Sequence, residues 1–291
     1  MKRLADIGED ALIGRLLSGF SHEGMLVGPG DDCAVIDSGQ GLVRLLKTDA
    51  IVEQIHFLPD ALPAEVGWKA VGRVLSDFAA MGGRPDFVLV TVALPSSVTV
   101  EWVESLYLGI RRCLETHGGI LAGGETTSVP AGAPAMISVA GEGHARRDAW
   151  VGRAGGRPGD VLAVTGHLGG SISGKHLQFS PRLREGEVLA AAGARAMMDL
   201  SDGLAKDLPR LAKASGCGFQ VEESLVPRTE GCSVAEALGD GEDYELLVAV
   251  PPSCWDRLRR EWAADLAPLT AIGRLADDGG ELVGGWEHFH S

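Results

Sequence analysis

The chain of 291 residues has few cysteines, no excess of positive charge and no long apolar run. Cys33, Cys113, Cys217, Cys232 and Cys254 are widely spread, odd in number and form no C-x-x-C pair. That excludes a disulfide framework and a cysteine zinc cluster, and it fits a reducing compartment. The net charge of −14 argues against non-specific binding to nucleic acid or to an anionic membrane, both of which need a basic surface. Uninterrupted apolar stretches such as Phe87–Val90 are far shorter than a membrane span. The opening MKRLADIGED carries acids where a signal peptide needs an apolar core. These features read as a soluble, cytoplasmic protein with no nucleic-acid or membrane partner. Familiar catalytic signatures are also missing: there is no Walker A sequence, no kinase H-R-D loop and no G-x-S-x-G. "GHLGGSISGK" (Gly166–Lys175) has something of a phosphate loop about it, but its spacing is wrong.

What is present suits a globular α/β protein with a real core. Apolar residues make up 45%, and 41 glycines without a collagen period imply many tight turns and close backbone approaches. In the first half, "GLVRLLKTD", "DFVLVTVALP" and "AMISVAGEG" read as strands, and "GILAGGETTS" as a strand entering a glycine loop. Between them lie two helices. In one, Pro63 sits in the first turn and Val71, Leu75 and Phe78 share a face. In the other, Trp102, Leu106, Ile110 and Cys113 do so before a Gly118 cap. A polar, Gly- and Arg-rich stretch, His144–Asp160, then reads as a crossing between domains 1–143 and 144–291. The second half repeats the alternation: "VLAVTG", "AMMDL", "FQVE", "DYELLVAV" and "TAIGRL" as strands, "SDGLAKDLPRLAKASG" and "PSCWDRLRREWAADL" as helices.

Many acids stand where a strand meets a turn, beside Gly, Ser or Thr: Asp31-Asp32 in "GPGDDCAVID", Thr48-Asp49, Gly124-Glu125-Thr126, Asp199-Leu200-Ser201-Asp202 and Gly241-Glu242-Asp243. Taken singly, each has a structural account as a helix cap or a turn. Ser76-Asp77 is harder to explain that way, because it interrupts the apolar helical stretch "VLSDFAAM", where an unpaired charge is costly. Either it faces solvent or a cation meets it. Carboxylates and hydroxyls without nearby His or Cys are the ligand set of Mg²⁺. Several such ions would also let an acidic protein hold a polyphosphate.

These motifs form an ordered set. "GPGDDCAVI", "KTDAIVEQIHF", "GWKAVGRVLSDFAAMGGRP", "LAGGETTS", "RAGGRPGDVLAVTGHLG", "MMDLSDGLAKDL" and "GDGEDYELLV" strongly resemble the thiamine-monophosphate kinases, of the aminoimidazole ribonucleotide synthetase superfamily. The resemblance runs from about Gly28 to the tail "GGWEHF". It implies an N-terminal domain that binds metal and ATP and whose sheet pairs with its twin in a homodimer, and a C-terminal α/β domain beside it. It implies transfer of the ATP γ-phosphoryl group to thiamine monophosphate, yielding thiamine diphosphate. Carried over by position, Asp32, Thr48, Asp49, Asp77, Glu125, Asp199 and Asp202 are the implied metal ligands. Tyr107, Gly124, Glu125, Arg153 and Ser201 are the implied ATP contacts, and His56, Glu242 and Trp286 the implied thiamine-phosphate contacts.

The chain departs from the family pattern in places. Glu125 replaces an Asp, reaching one methylene further. Lys47 stands where relatives often carry a Ser ligand, and an ammonium cannot coordinate. "GDGED" replaces "GGED", so that Asp240 adds charge nearby. Trp286 could stack on a cationic thiazolium or simply pack the tail. Two anions react, so neutralisation and in-line alignment matter more than a general base, and no phosphoenzyme is expected. Two alternatives are a superfamily member with another acceptor and a non-catalytic nucleotide-binding homologue. No Cys precedes Cys33, which counts against a selenophosphate-synthetase-like enzyme; Cys33 itself reads as a small strand residue.

Overall fold

The computed structural model describes residues 3–17, 19 and 22–286. Its elements in chain order are α1 (Gly8–Leu16), β1 (Met25–Val27), β2 (Ala34–Gly39), β3 (Leu42–Val52), α2 (Pro63–Ala80), β4 (Arg84–Pro95), α3 (Val100–His117), β5 (Ile120–Val129) and β6 (Met136–Arg146). The second half contains β7 (Val161–Thr165), α4 (Leu183–Ala191), β8 (Ala196–Asp199), α5 (Leu204–Ala214), β9 (Gly218–Val221), α6 (Val234–Gly239), β10 (Leu246–Val250), α7 (Pro252–Glu261) and β11 (Leu269–Ala276). The strands form two sheets, ordered β1-β2-β3-β6-β4-β5 and β8-β10-β7-β11-β9. Every pairing is antiparallel except β4 with β5. The mixed α/β class is as expected, on the α+β side. The expected boundary at 143/144 falls inside β6, which stays paired with β3 as far as Arg146.

Helix α2 is the central element. Pro63 opens it at a position where no N–H is needed, and Val71, Leu75 and Phe78 on its apolar face are fully buried. α3 starts with a Thr99 side chain that accepts the Trp102 N–H at 3.2 Å, and it lies unusually close to α2. A Cβ on Gly109 would stand 1.8 Å from the Ala64 carbonyl oxygen, so only glycine permits the contact.

One core cluster contains Phe78 and Val139 of the first half together with Leu189, Met197 and Val248 of the second. The opposite face of the second sheet is packed by Leu162, Val164, Leu208 and Leu211. Adjacent residues of β7 therefore serve different cores, as the two-residue period of a strand dictates, and this is why its run is apolar throughout.

Three sequence expectations change. "GILAGGETTS" does not leave the sheet for a loop, because β5 continues to Val129 in register with β4. Gly124 is a strand residue whose backbone meets that of Val90 too closely for any Cβ. "DYE" is not the start of a strand, since Glu242 and Tyr244 take left-handed φ of 64° and 51° and β10 begins only at Leu246. Finally, α4 and α6 are helices for which no periodic signal was read.

Candidate active site

Between the sheets lies a cleft of about 1720 Å³. Asp32, Thr48, Asp49, His56, Asp77, Arg153, Asp199, Ser201, Asp202, Glu242 and Trp286 all line it. Tyr107, Gly124 and Glu125 do not. Tyr107 packs on the first core, and Glu125 is exposed on β5, opposite Thr91. In the sheet order, β5 is three ladder steps from β3, or about 14 Å at the usual strand spacing. Within one chain that distance keeps Glu125 away from the other acids. Of the tail "GGWEHF", Glu287, His288 and Phe289 lie outside the described residues.

At the floor of the cleft, Asp32, Asp77 and Asp199 each place a carboxylate oxygen within 4.8 Å of the others. Asp32 follows β1, Asp77 lies on α2 and Asp199 ends β8, so the three acids come from distant parts of the chain. All are buried. Burial pushes Asp77 well above the ordinary carboxylate range against the pull of Lys47. Burial, then the neighbouring Asp32, pushes Asp199 to about 6. Partial compensation is built in. Lys47 Nζ donates to Asp77 Oδ1 at 2.8 Å, Ser76 Oγ donates to Asp199 Oδ2 at 2.6 Å, and Arg153 holds Asp32 Oδ1. The puzzling Ser76-Asp77 pair is thus explained: it faces a cation and a second acid rather than solvent.

Asp32 Oδ2 is buried and has no protein partner. A buried carboxylate oxygen with no partner, on a residue of an acid cluster, is costly unless a cation meets it. The donor set, oxygen only, is that of a hard divalent ion, so these residues fit Mg²⁺. Asp31 behaves differently from Asp32. It accepts the backbone N–H of Asp32 at 2.9 Å and that of Arg153 at 3.0 Å, and burial, then Asp32, pushes it up to about 6. Its task is to tie the domain crossing to the glycine turn.

Two further expected ligands, Asp49 and Asp202, are engaged by cations. Arg73 grips Asp49 with a fork, at 2.9 and 3.1 Å. Arg210 reaches Asp202 at 2.5 Å, while Asp207, pushed to about 8 by burial and then by Asp202, accepts the Asp202 N–H at 2.9 Å. Deeper in the molecule, Lys69 is wholly buried. It donates to the His56 carbonyl and to Glu242 Oε2 at 2.8 Å, and its Nζ lies 2.6 Å from His176 Nδ1. Burial lowers Lys69 to about 8 against the pull of Glu242. Glu242 drops to about 2, burial being outweighed by His176 and Lys69, so the pair is ionised at neutral pH.

Lys69, Arg73, Asp207, Arg210 and His176 were missed in the sequence. A signal existed for the first two: Lys69, Arg73 and Asp77 recur every fourth residue, a charged stripe on an otherwise buried helix.

The glycine loop after β7 is not a phosphate cradle. Gly169 N–H donates to Asp243 at 3.0 Å and Gly170 N–H to Asp240 at 2.8 Å, so the protein's own carboxylates fill that nest. Ser171 and Lys175 also bind Asp243, at 2.7 and 2.9 Å. Asp240 therefore anchors the loop rather than adding charge to the cleft. Glu242 N–H and Tyr244 N–H donate to Ser201 O and Leu200 O, at 2.7 and 2.9 Å, pinning the "GDGED" turn to the "DLSDG" turn. Trp286 N–H reaches Asp202 O at 2.9 Å, which brings the tail to the rim.

The arrangement defines a two-sheet α/β protein with a buried carboxylate cluster in the cleft between its halves. The AIR synthase related protein N-terminal domain matches residues 30–145, and the corresponding C-terminal domain matches residues 157–284. The chain belongs to the AIR synthase related family, in its thiamine-monophosphate kinase branch. It is 33% identical to the thiamine-monophosphate kinase of Salmonella typhimurium, over 93% of this chain and 91% of that one. Identity to the Bacillus subtilis enzyme is 31%, over 88% and 87%. A structure of AaThiL complexed with AMPPCP and TMP superposes with a TM-score of 0.87 at 29% identity, covering 99% of each chain. Hydrogenase maturation protein HypE in complex with ATP, at 23% identity and a TM-score of 0.69 over 91% of this chain and 87% of that one, shares the fold.

Proposed function

We propose that this chain is an ATP-dependent thiamine-monophosphate kinase, transferring the γ-phosphoryl group of ATP to thiamine monophosphate in thiamine diphosphate synthesis. The observation that carries the reading is the buried triad Asp32, Asp77 and Asp199 with its orphaned Asp32 oxygen, set in a cleft that also collects His56, Glu242 and Trp286. A phosphate oxygen of the acceptor attacks the γ-phosphorus, and the bond from that phosphorus to the β,γ-bridging oxygen breaks, giving thiamine diphosphate and ADP. The attacking group is already an anion, so no strong base is needed and no residue is phosphorylated. What must be supplied is charge neutralisation and in-line alignment.

The cluster formed by Asp32, Asp77 and Asp199 would hold Mg²⁺, with Thr48, Asp49 and Asp202 at the same cleft as further ligands. When bound there, Mg²⁺ supplies positive charge against the phosphates. Arg153, at the Asp32 corner, and Ser201 face ATP, while His56, Glu242 and Trp286 orient the acceptor. The reading includes a cytoplasmic homodimer. The unpaired edge of β5, exposed from Ile120 to Ser128, is a surface on which a second sheet could add. Such pairing offers a place for Tyr107, Gly124 and Glu125 that a single chain does not.

The test is turnover by purified protein with ATP and Mg²⁺, offering thiamine monophosphate or free thiamine as acceptor. Thiamine diphosphate formed from the monophosphate alone is the expected result. Absence of product with Mg²⁺ present overturns the reading.

A further inference from the structure

Lys47 is a cation inside a metal-type acid cluster. It projects from β3, its Nζ lies 2.8 Å from Asp77 Oδ1, and the two side chains are 24% and 6% exposed. The cluster's carboxylate oxygens are not equivalent. Asp77 Oδ1 is taken by Lys47, Asp199 Oδ2 by the Ser76 hydroxyl and Asp32 Oδ1 by Arg153. Only Asp32 Oδ2 is both buried and unpartnered among the described residues of the cluster.

A magnesium ion binds carboxylate oxygen at about 2.1 Å. At Asp77 Oδ1 it would therefore stand close beside the ammonium, two like charges in a poorly hydrated site. The ion and the lysine cannot share that corner.

We propose that Lys47 is a resident cation of this site. It neutralises Asp77 in place of one divalent ion and stays there when metal binds, leaving metal to the Asp32 and Asp199 side. The proposal rests on the reading of the cleft as a Mg²⁺ site. It gives this chain a requirement for one metal fewer than the same acids would have with a neutral residue at position 47.

Bound Mn²⁺ per chain, counted by equilibrium dialysis and electron paramagnetic resonance without nucleotide, tests it on wild type, K47S, K47Q and K47R. Wild type and K47R should bind the same number of ions, and K47S and K47Q one more. Melting in chelator shows which variants are folded, and Mg²⁺ alone should raise the melting temperature of K47S more than that of wild type. Wild type provides a readout independent of any variant: acetylation of Lys47, followed by mass spectrometry, should be unchanged on saturation with Mg²⁺. Equal ion counts of one or more in wild type and K47S, or Lys47 becoming reactive when metal binds, overturns the proposal and leaves the metal site standing. No bound Mn²⁺ in any form overturns both.

Discussion

Lys69 Nζ lies 2.7 Å from Glu242 Oε1, joining the middle of α2 to a turn in the other half of the chain. The lysine side chain is wholly buried, so this is an interior ion pair that also fixes the His56 carbonyl and the His176 ring. It sets where the two implied acceptor contacts, His56 and Glu242, stand relative to each other.

Removing Lys69 leaves Glu242 without its ammonium, but Glu242 is 23% exposed on the cleft and keeps His176 beside it, so the cost is about 1–3 kcal/mol, below that of a fully buried pair. Lys69→Met is expected to destabilise the protein by that order in chemical denaturation. Adding Glu242→Gln to it should recover part of the loss, a coupling that two independent sites would not show.

The pH response of the same lysine has opposite signs for activity and stability. Lys69 loses its proton near pH 8 when folded, against an ordinary value of 10.5. Above pH 8 the ion pair fades, so the KM for thiamine monophosphate should rise through that pH. Between about 8 and 10.5 the unfolded chain binds more protons than the folded one, so this group makes unfolding less favourable as pH rises. Lys69→Arg should remove the break in the KM profile, since a guanidinium does not titrate there.

The two adjacent aspartates of "GPGDDCAVID" have different roles. Asp32→Asn takes a carboxylate from the triad and, on the proposed reading of a Mg²⁺ site, should lower kcat by on the order of 100-fold or more. Asp31→Asn weakens two backbone contacts at the crossing and should show mainly as a lower melting temperature. Equal losses of turnover in the two variants would contradict this division.

Asp243 fills the glycine nest after β7. Asp243→Ala removes the acceptor for the Gly169 N–H, Ser171 Oγ and Lys175 Nζ, at a cost of about 1–3 kcal/mol. Amide exchange should speed up across Gly169–Lys175 while β4 and β6 stay protected.

Gly109→Val tests the approach of α3 to α2. With the Ala64 carbonyl 1.8 Å from a Cβ, α3 must move away, for about 3 kcal/mol. Because α2 carries Lys69, Arg73 and Asp77, turnover should fall even though no cleft residue changes.

Much of the site was legible because acids next to Gly, Ser and Thr at strand ends have few structural reasons to recur in order. Asp32, Asp77 and Asp199 meet as that pattern implies. The cations that hold them were harder to see. Lys69 and Arg73 look like ordinary helix-surface residues until α2 is known to be covered on every side. The left-handed Tyr244 was read as strand because a tyrosine does not announce that backbone conformation. Glu125 and Tyr107 match family positions, yet sheet order, which residue type does not encode, keeps Glu125 from the cleft in one chain, and Tyr107 of α3 packs on the first core instead.

Helix α2 also works as a ruler. Lys69 and Asp77 are eight residues apart on it, about 12 Å along the axis. One rigid rod therefore sets the spacing between the end of the cleft that grips Glu242 and the end that gathers the acid triad. On the proposed reading, an acceptor is measured by its length. A molecule whose phosphate stands too near its ring, or too far from it, would satisfy one end of the rod and miss the other.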